Sequence, residues 1–296
     1  MFINEYGWSP RVETAFGEFI GRGLSPARVV ACEYGAWMCA TADGERLVRH
    51  ARGGAEAVTG DWVACRAGYD SIAAVLPRAN AIVRRAAGTV AGRQALAANA
   101  DIAFAVMGLD GDYNPRRLER YAALCGQARV RMVTLLNKSD LGGGAGARVA
   151  EARAAAGGGE VFPVSALTDD LEAVLFAFFG PGETAVLLGS SGAGKSTIVN
   201  RLLGRELQST QPVRSHDSRG RHTTTRRSLI RLPCGRLLMD LPGIREAGLL
   251  PGSAEEGARE LPERLKAEAR PEWEIRRENR ILHRAAKQFY RMRGKF

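Results

Sequence analysis

The run Gly189-Ser190-Ser191-Gly192-Ala193-Gly194-Lys195-Ser196-Thr197 has the form G-x-x-x-x-G-K-S. Its glycines let backbone N–H groups converge on phosphate oxygens, and a helix starting at its end adds the positive end of a dipole. The whole run is the candidate nucleotide-binding loop, with Lys195 reaching the β- and γ-phosphates and Ser196 ligating Mg²⁺. A second group, Asn137-Lys138-Ser139-Asp140, has the form N-K-x-D. A carboxylate at Asp140 accepts hydrogen bonds from N1–H and N2–H₂ of guanine. Adenine lacks both donors there, and a carboxylate left unpaired against the wrong base is costly, which is the source of selectivity. Ser165-Ala166 matches the S-A element whose backbone supports the guanine carbonyl oxygen. Asp240-Leu241-Pro242-Gly243 is D-x-x-G, in which Asp240 holds Mg²⁺ through water and the Gly243 N–H senses the γ-phosphate. The expected cofactor is therefore GTP or GDP with Mg²⁺.

These groups need a parallel sheet to hold them. Each follows an apolar run of strand length: 130–136 before N-K-x-D, 161–164 before S-A, 184–188 before the glycine loop and 236–240 ending in D-x-x-G. A further buried strand is expected at 101–108 (DIAFAVMG). Helical patterns at 114–126, 145–156 and 169–179 alternate with the strands, which is the signature of a parallel α/β sheet. Ligands in such sheets bind at the carboxyl ends of strands, so the motifs support one another there. Their order is unusual. N-K-x-D and S-A precede the glycine loop and D-x-x-G comes last, so the chain is circularly permuted relative to ordinary GTPases.

Before this sheet, residues 27–85 hold five or six short β-type runs separated by turn residues, which suggests a small β-barrel such as an OB-fold. Such barrels often bind nucleic acid, although a barrel that only packs on its neighbour fits composition equally well. Residues 1–26 read as a helical lead-in with Phe16, Phe19 and Ile20 on one face, and 86–98 as a linker. The fold class expected is α/β, with four segments: the lead-in 1–26, an RNA-binding barrel 27–85, a permuted P-loop GTPase domain 86–248 and a helical basic extension 249–296.

The formal charge is +10, and it is concentrated. Residues 214–227 carry five arginines against Asp217 alone, and 271–296 carry eight Lys and Arg against three Glu. Two basic clusters suggest two nucleic-acid contact surfaces. The 272–293 helix also has an apolar stripe of Trp273, Ile281, Ala285 and Phe289, so packing is its alternative role. The five cysteines are scattered with no C-x-x-C pair, which argues against a disulfide framework or a zinc ribbon. No apolar run approaches the ~18 residues of a membrane span and no signal peptide is evident, so a cytoplasmic monomer with no membrane partner is expected.

The run Arg219-Gly220-Arg221-His222-Thr223-Thr224-Thr225, the Gly60-Asp61-Trp62 triplet, the G-S-S-G-x-G-K-S-T loop and the permuted order together resemble the ribosome small-subunit-dependent GTPase A family. The likeness runs from about residue 27 to residue 249. It implies an OB-fold, a permuted GTPase domain and a C-terminal zinc subdomain. It also implies slow GTP hydrolysis stimulated by the small ribosomal subunit, a role late in that subunit's maturation, and contact with its 16S rRNA. The family's zinc ligands are three cysteines and a histidine. Here no cysteine lies beyond Cys234 and His283 is the only histidine after His222, so no zinc site is expected.

Ile244 stands after D-x-x-G where many GTPases place a water-orienting glutamine, so intrinsic hydrolysis should be slow. His222 is the candidate for positioning that water, supported by the resemblance; contact with an rRNA phosphate is its alternative. One of Thr223, Thr224 and Thr225 is expected to ligate Mg²⁺, with Thr224 taken as the candidate. The catalytic set is thus His222, Lys195 and Gly243, and the metal set Ser196, Thr224 and Asp240. The competing reading is a non-enzymatic, GTP-dependent RNA chaperone, against which intact Lys195, Ser196 and Asp240 argue.

Overall fold

A computed structural model of the chain describes residues 1–33, 36–49, 56–85, 93–141, 145–204 and 228–241. His222, Thr223, Thr224, Thr225, Gly243, Ile244 and the whole basic extension lie outside these residues.

The centre is a parallel sheet. Strand β8 (Ile102–Gly108) is buried along its whole length, as is β11 (Thr184–Leu188). Both read as continuous apolar runs because helices cover both faces. With β9 (Arg131–Asn137), β10 (Glu160–Pro163) and β13 (Leu237–Asp240) they give the parallel order β10-β9-β8-β11-β13. Strand β12 (Ser228–Arg231) adds antiparallel to β13. One face carries α2 (Pro115–Ala128), whose Asn114 cap accepts from the Arg117 N–H and whose Pro115 opens the first turn. Leu118, Tyr121, Leu124 and Cys125 face inward at helical spacing. The opposite face is closed by α4 (Leu171–Leu175) and α5 (Lys195–Leu203), whose Val174, Leu175, Ile198 and Leu202 share a cluster with Phe104 and Leu187. Helix α3 (Ala145–Ala155) lies beside α2. The helix expected over 169–179 is regular only in the five residues of α4, after an Asp170 cap.

N-terminal to this sheet, β1 (Ser25–Glu33) pairs antiparallel with both β2 (Ala36–Ala40) and β4 (Trp62–Cys65). Strand β3 (Glu45–Arg49) pairs with β2, and β5 (Ile72–Val75) with β4. A parallel bridge from Arg49 to Ser71 brings β3 to the start of β5, completing a ring in the order β1-β2-β3-β5-β4. Its interior holds Val29, Trp37, Cys39, Val48, Val63, Cys65 and Ile72. A single register pair, Ala31 with Ser228, makes this ring continuous with the parallel sheet.

Two expectations are corrected. Residues 93–98 are not linker: β6 (Ala81–Arg85) and β7 (Arg93–Ala98) form a hairpin of their own, so 81–85 is not a strand of the ring. The hairpin's Ile82, Leu96 and Ala97 pack with Leu118 and Tyr121 of α2, and this apolar contact is what holds it to the parallel sheet. The lead-in is a 3₁₀ turn at Phe2–Tyr6, then α1 (Pro10–Phe16), then a 3₁₀ turn at Gly17–Phe19. Phe16 is buried, but Ile20 falls after the last turn and is 71% exposed.

Arg28 on β1 is the junction of all these parts. It is 2% exposed and donates to the Tyr6 carbonyl at 2.5 Å, the Asn99 carbonyl at 3.3 Å, the Gly60 carbonyl at 3.4 Å and Thr184 Oγ1 at 2.9 Å. Those acceptors belong to the lead-in, the end of the hairpin, the ring and β11. Burial pulls the guanidinium down to about 10. Among the described residues, no helix is long and apolar enough to cross a membrane and no cluster of His, Cys, Asp or Glu is placed to hold a metal ion.

Candidate functional site

The glycine loop leaves the carboxyl end of β11 and ends where α5 begins, between strands β8 and β13. Two of its glycines are required by close approach. A Cβ on Gly189 would stand 2.6 Å from the Val106 carbonyl oxygen of β8, a backbone atom that cannot swing away. Gly194 caps α5 with φ at 98°, and a Cβ there would lie 2.0 Å from Asn137 Nδ2. Ser191 and Gly192 are exposed at the tip, while Ala193 turns inward and is buried. Lys195 folds back along the loop, donating from Nζ to the carbonyl oxygens of Gly189 at 2.8 Å and Ser190 at 2.7 Å.

Ser196 and Thr197 follow in the first turn of α5, both partly exposed. Asp240, 2% exposed, is the last residue of β13 and the register partner of Leu187 in β11. A hydroxyl and a carboxylate flanking a loop of backbone N–H groups is a hard-oxygen donor set. It suits a Mg²⁺-bound phosphate and would not suit a softer metal.

Asn137 ties the motifs together. It is 2% exposed, donates from Nδ2 to the Ala193 carbonyl at 2.9 Å, and accepts at Oδ1 from the Ala166 N–H at 2.9 Å. One buried side chain therefore joins N-K-x-D to the glycine loop and to the S-A element. The Ser139 N–H reinforces this by donating to the Val164 carbonyl at 3.1 Å. Asp140 sits in the 3₁₀ turn Ser139–Leu141 and is exposed. Ser165 is buried, donating its N–H to Asp169 Oδ2 and accepting at Oγ from the Leu167 N–H. The Ala166 N–H is engaged by Asn137, so any support it lends to a guanine carbonyl requires that bond to be shared.

Sequence reading missed three residues that shape this site. Asp110 and Asp112 stand on the turn that follows β8. Lys138, held at φ 65°, donates from Nζ to Asp110 Oδ2 at 2.5 Å. Burial alone would raise the Asp110 carboxyl, but the Lys138 ammonium and the Asp112 N–H outweigh it and hold it below the usual carboxylate range. Asp112 Oδ2 accepts from Ser190 Oγ at 2.5 Å, and its Oδ1 accepts from Arg117 at 2.7 Å. The third is Arg201 on α5, which donates to the Leu167 and Asp169 carbonyls and pins the S-A loop to the phosphate helix. An acidic pair directly after a buried strand at the ligand edge of a parallel sheet was the available signal.

The model of the RsgA GTPase family matches residues 75–250. The chain belongs to that family. An RsgA protein of Opitutus terrae, a small ribosomal subunit biogenesis GTPase by name, is 40% identical over 97% of this chain and 84% of its own length. The RsgA protein of Leptospira interrogans serovar Lai is 39% identical, over 88% of this chain and 74% of its own. Among solved structures, YjeQ from Thermotoga maritima aligns at a TM-score of 0.57 with 18% identity, covering 92% of this chain and 100% of that one. YloQ, described as a circularly permuted GTPase, aligns at 0.51 with 17% identity over 76% and 74%. At such identities these two speak for the fold, a mixed α/β architecture with a permuted GTPase sheet. The RsgA match begins within β5, so it takes in the β6–β7 hairpin along with the parallel sheet.

Proposed function

We propose that this RsgA-family chain is a slow GTP hydrolase acting in small ribosomal subunit biogenesis, late in maturation and through contact with 16S rRNA. The observation that carries the reading is Asn137. Three motifs far apart in sequence meet at its buried amide. That meeting brings base recognition and phosphate binding to one edge of one sheet. The names of the relatives, with about 40% identity over nearly the whole chain in the first case, supply the biological setting.

In this reading Asp140 selects guanine by accepting its N1–H and N2–H₂ protons. Residues 189–197 bind the phosphates, with Lys195 leaving its carbonyl partners for the β- and γ-phosphate oxygens. Ser196 and Asp240 would hold Mg²⁺, together with Thr224 or a neighbouring threonine. When bound, that ion supplies charge neutralisation at the bridging and terminal phosphate oxygens. Gly243 senses the γ-phosphate, and His222 orients the attacking water in the absence of a glutamine at Ile244. The ring β1-β2-β3-β5-β4 has the strand order of an OB-fold and is assigned to RNA contact; its pairing supports a boundary near residue 76 in place of 85. The basic segment within 249–296 is assigned a second RNA contact. Zinc is not expected there, because the sequence lacks the ligand cysteines. The protein is taken to work as a cytoplasmic monomer.

The test is GTP turnover by the purified protein with and without purified small subunits, with ATP as control. Stimulated GTP turnover is expected. An absence of turnover under both conditions would favour a GTP-dependent RNA chaperone, and a preference for ATP would overturn the guanine assignment.

A further inference from the structure

The turn after β8 does more than join a strand to a helix. Its two carboxylates point to the two ends of the nucleotide site. Asp110 takes Lys138 of N-K-x-D, and Asp112 takes Ser190 of the glycine loop. Asp112 is also anchored from behind by Arg117, in the first turn of α2. Ser190 is 6% exposed, and its carbonyl is one of the two that receive Lys195 Nζ. The contacts form a chain from α2 to the phosphate lysine: Arg117, Asp112, Ser190, Lys195.

From this chain we infer that Asp112 is a positioning residue for phosphate binding, acting through the Ser190 hydroxyl on the glycine loop and Lys195. The inference rests on the guanine-nucleotide reading of the site. A carboxylate beside a phosphate cradle would ordinarily repel the ligand. Here its negative charge is directed onto Arg117 and the Ser190 hydroxyl, both about hydrogen-bond distance away, so it fixes the loop. Ser190 in turn spends its proton on Asp112, so it contributes to phosphate binding through where its backbone sits. Charge-assisted bonds of this kind are the stronger ones, and the two partners of Asp112 occupy different oxygens. An asparagine at 112 offers a single acceptor oxygen to two donors, and an alanine at 190 removes the hydroxyl while keeping the backbone.

The experiment measures GDP and guanosine affinity, by competition against a fluorescent GDP, for wild type, Asp112→Asn, Ser190→Ala and the double variant. Guanosine carries the base and no phosphate, so it reports the N-K-x-D side alone. Each single variant is expected to weaken GDP about tenfold, the size of one charge-assisted hydrogen bond. Guanosine affinity should stay within about twofold of wild type, and the double variant should be no weaker than the weaker single, because both cut one link. Ser190→Thr, which retains the hydroxyl, should restore GDP binding. Equal losses of GDP and guanosine would mean a general structural role and would overturn the inference. So would wild-type GDP affinity in Ser190→Ala, or losses that multiply in the double variant. Ser190→Ala removes one oxygen atom and carries the test even where Asp112→Asn folds poorly. Failure of the wild type to bind GDP would instead sink the nucleotide reading itself.

Discussion

Asn137→Ala separates a structural tie from a ligand contact. Asn137 uses both ends of its amide within the protein, on the Ala193 carbonyl and the Ala166 N–H. Both of those residues are buried, at 0% and 3% exposed. Alanine leaves two buried backbone groups without these partners, each costing ~1–3 kcal/mol. Some relaxation is available because the loops lie at the edge of the sheet, so a loss of about 3 kcal/mol is expected. That is a sizeable share of the ~5–15 kcal/mol typical of a folded domain. For a chain of 296 residues it corresponds to a fall in Tm of roughly 5 °C. The assay is urea unfolding of the nucleotide-free protein, with GDP affinity measured alongside. Asn137→Asp should not rescue, because a carboxylate can still accept from Ala166 but faces the Ala193 carbonyl with no proton to give. The reasoning is refuted if Asn137→Ala unfolds within about 0.5 kcal/mol of wild type without nucleotide while GDP affinity collapses. Asn137 would then act on the ligand and not on the loops.

Two other outcomes are expected. Arg28→Met should destabilise by about 3 kcal/mol in urea, because the Tyr6 and Asn99 carbonyls and the Thr184 hydroxyl lose the guanidinium donor, the Gly60 carbonyl is left with the Asn99 amide, and only part of the cost of burying a cation is recovered. Arg28→Lys should do little better, since one ammonium cannot span acceptors arranged around a planar fork; wild-type stability in either variant would show that the junction is dispensable. Thiol labelling near pH 8 should show one fast cysteine, Cys234, which is exposed and whose replacement by serine should remove that phase. Cys32 is half-buried and should label more slowly, Cys39, Cys65 and Cys125 are buried, and burial pushes the Cys65 and Cys125 thiols up to about 12, so fast labelling of any of those three in Cys234→Ser would contradict the packing of the ring or of α2.

How much was legible can be argued from particular residues. The glycine loop was readable because its conformation depends on local chemistry: glycines where a Cβ cannot stand, a lysine and a serine at a helix start, and an apolar strand before it. N-K-x-D was readable for the same reason, together with the strand that carries it and the strand that ends in Asp240. The β6–β7 hairpin was not. Its strands are separated by residues with no turn signature of the two-residue kind, and what holds it is apolar contact with α2, a helix about twenty residues further on. Ile20 was misplaced because helical spacing in a lead-in says nothing about where the helix stops. The short α4 shows the same limit: its apolar pattern continues through Phe178 and Phe179, but those side chains pack against Phe104 from a non-helical segment.

The sequence by itself determined the motifs available: the glycine loop, N-K-x-D, S-A and D-x-x-G, their permuted order and the family they resemble. Each motif is a short run recognisable from residue type and spacing alone. Tertiary structure decided how those runs are coupled. It placed the Asn137 amide between Ala193 and Ala166, set Asp112 against Ser190 and Asp110 against Lys138, and put Arg28 at the meeting point of ring, lead-in, hairpin and β11. Those partners lie between 22 and 156 residues apart, so only the packing of the sheet brings them within the 2.5–3.4 Å at which a hydrogen bond forms.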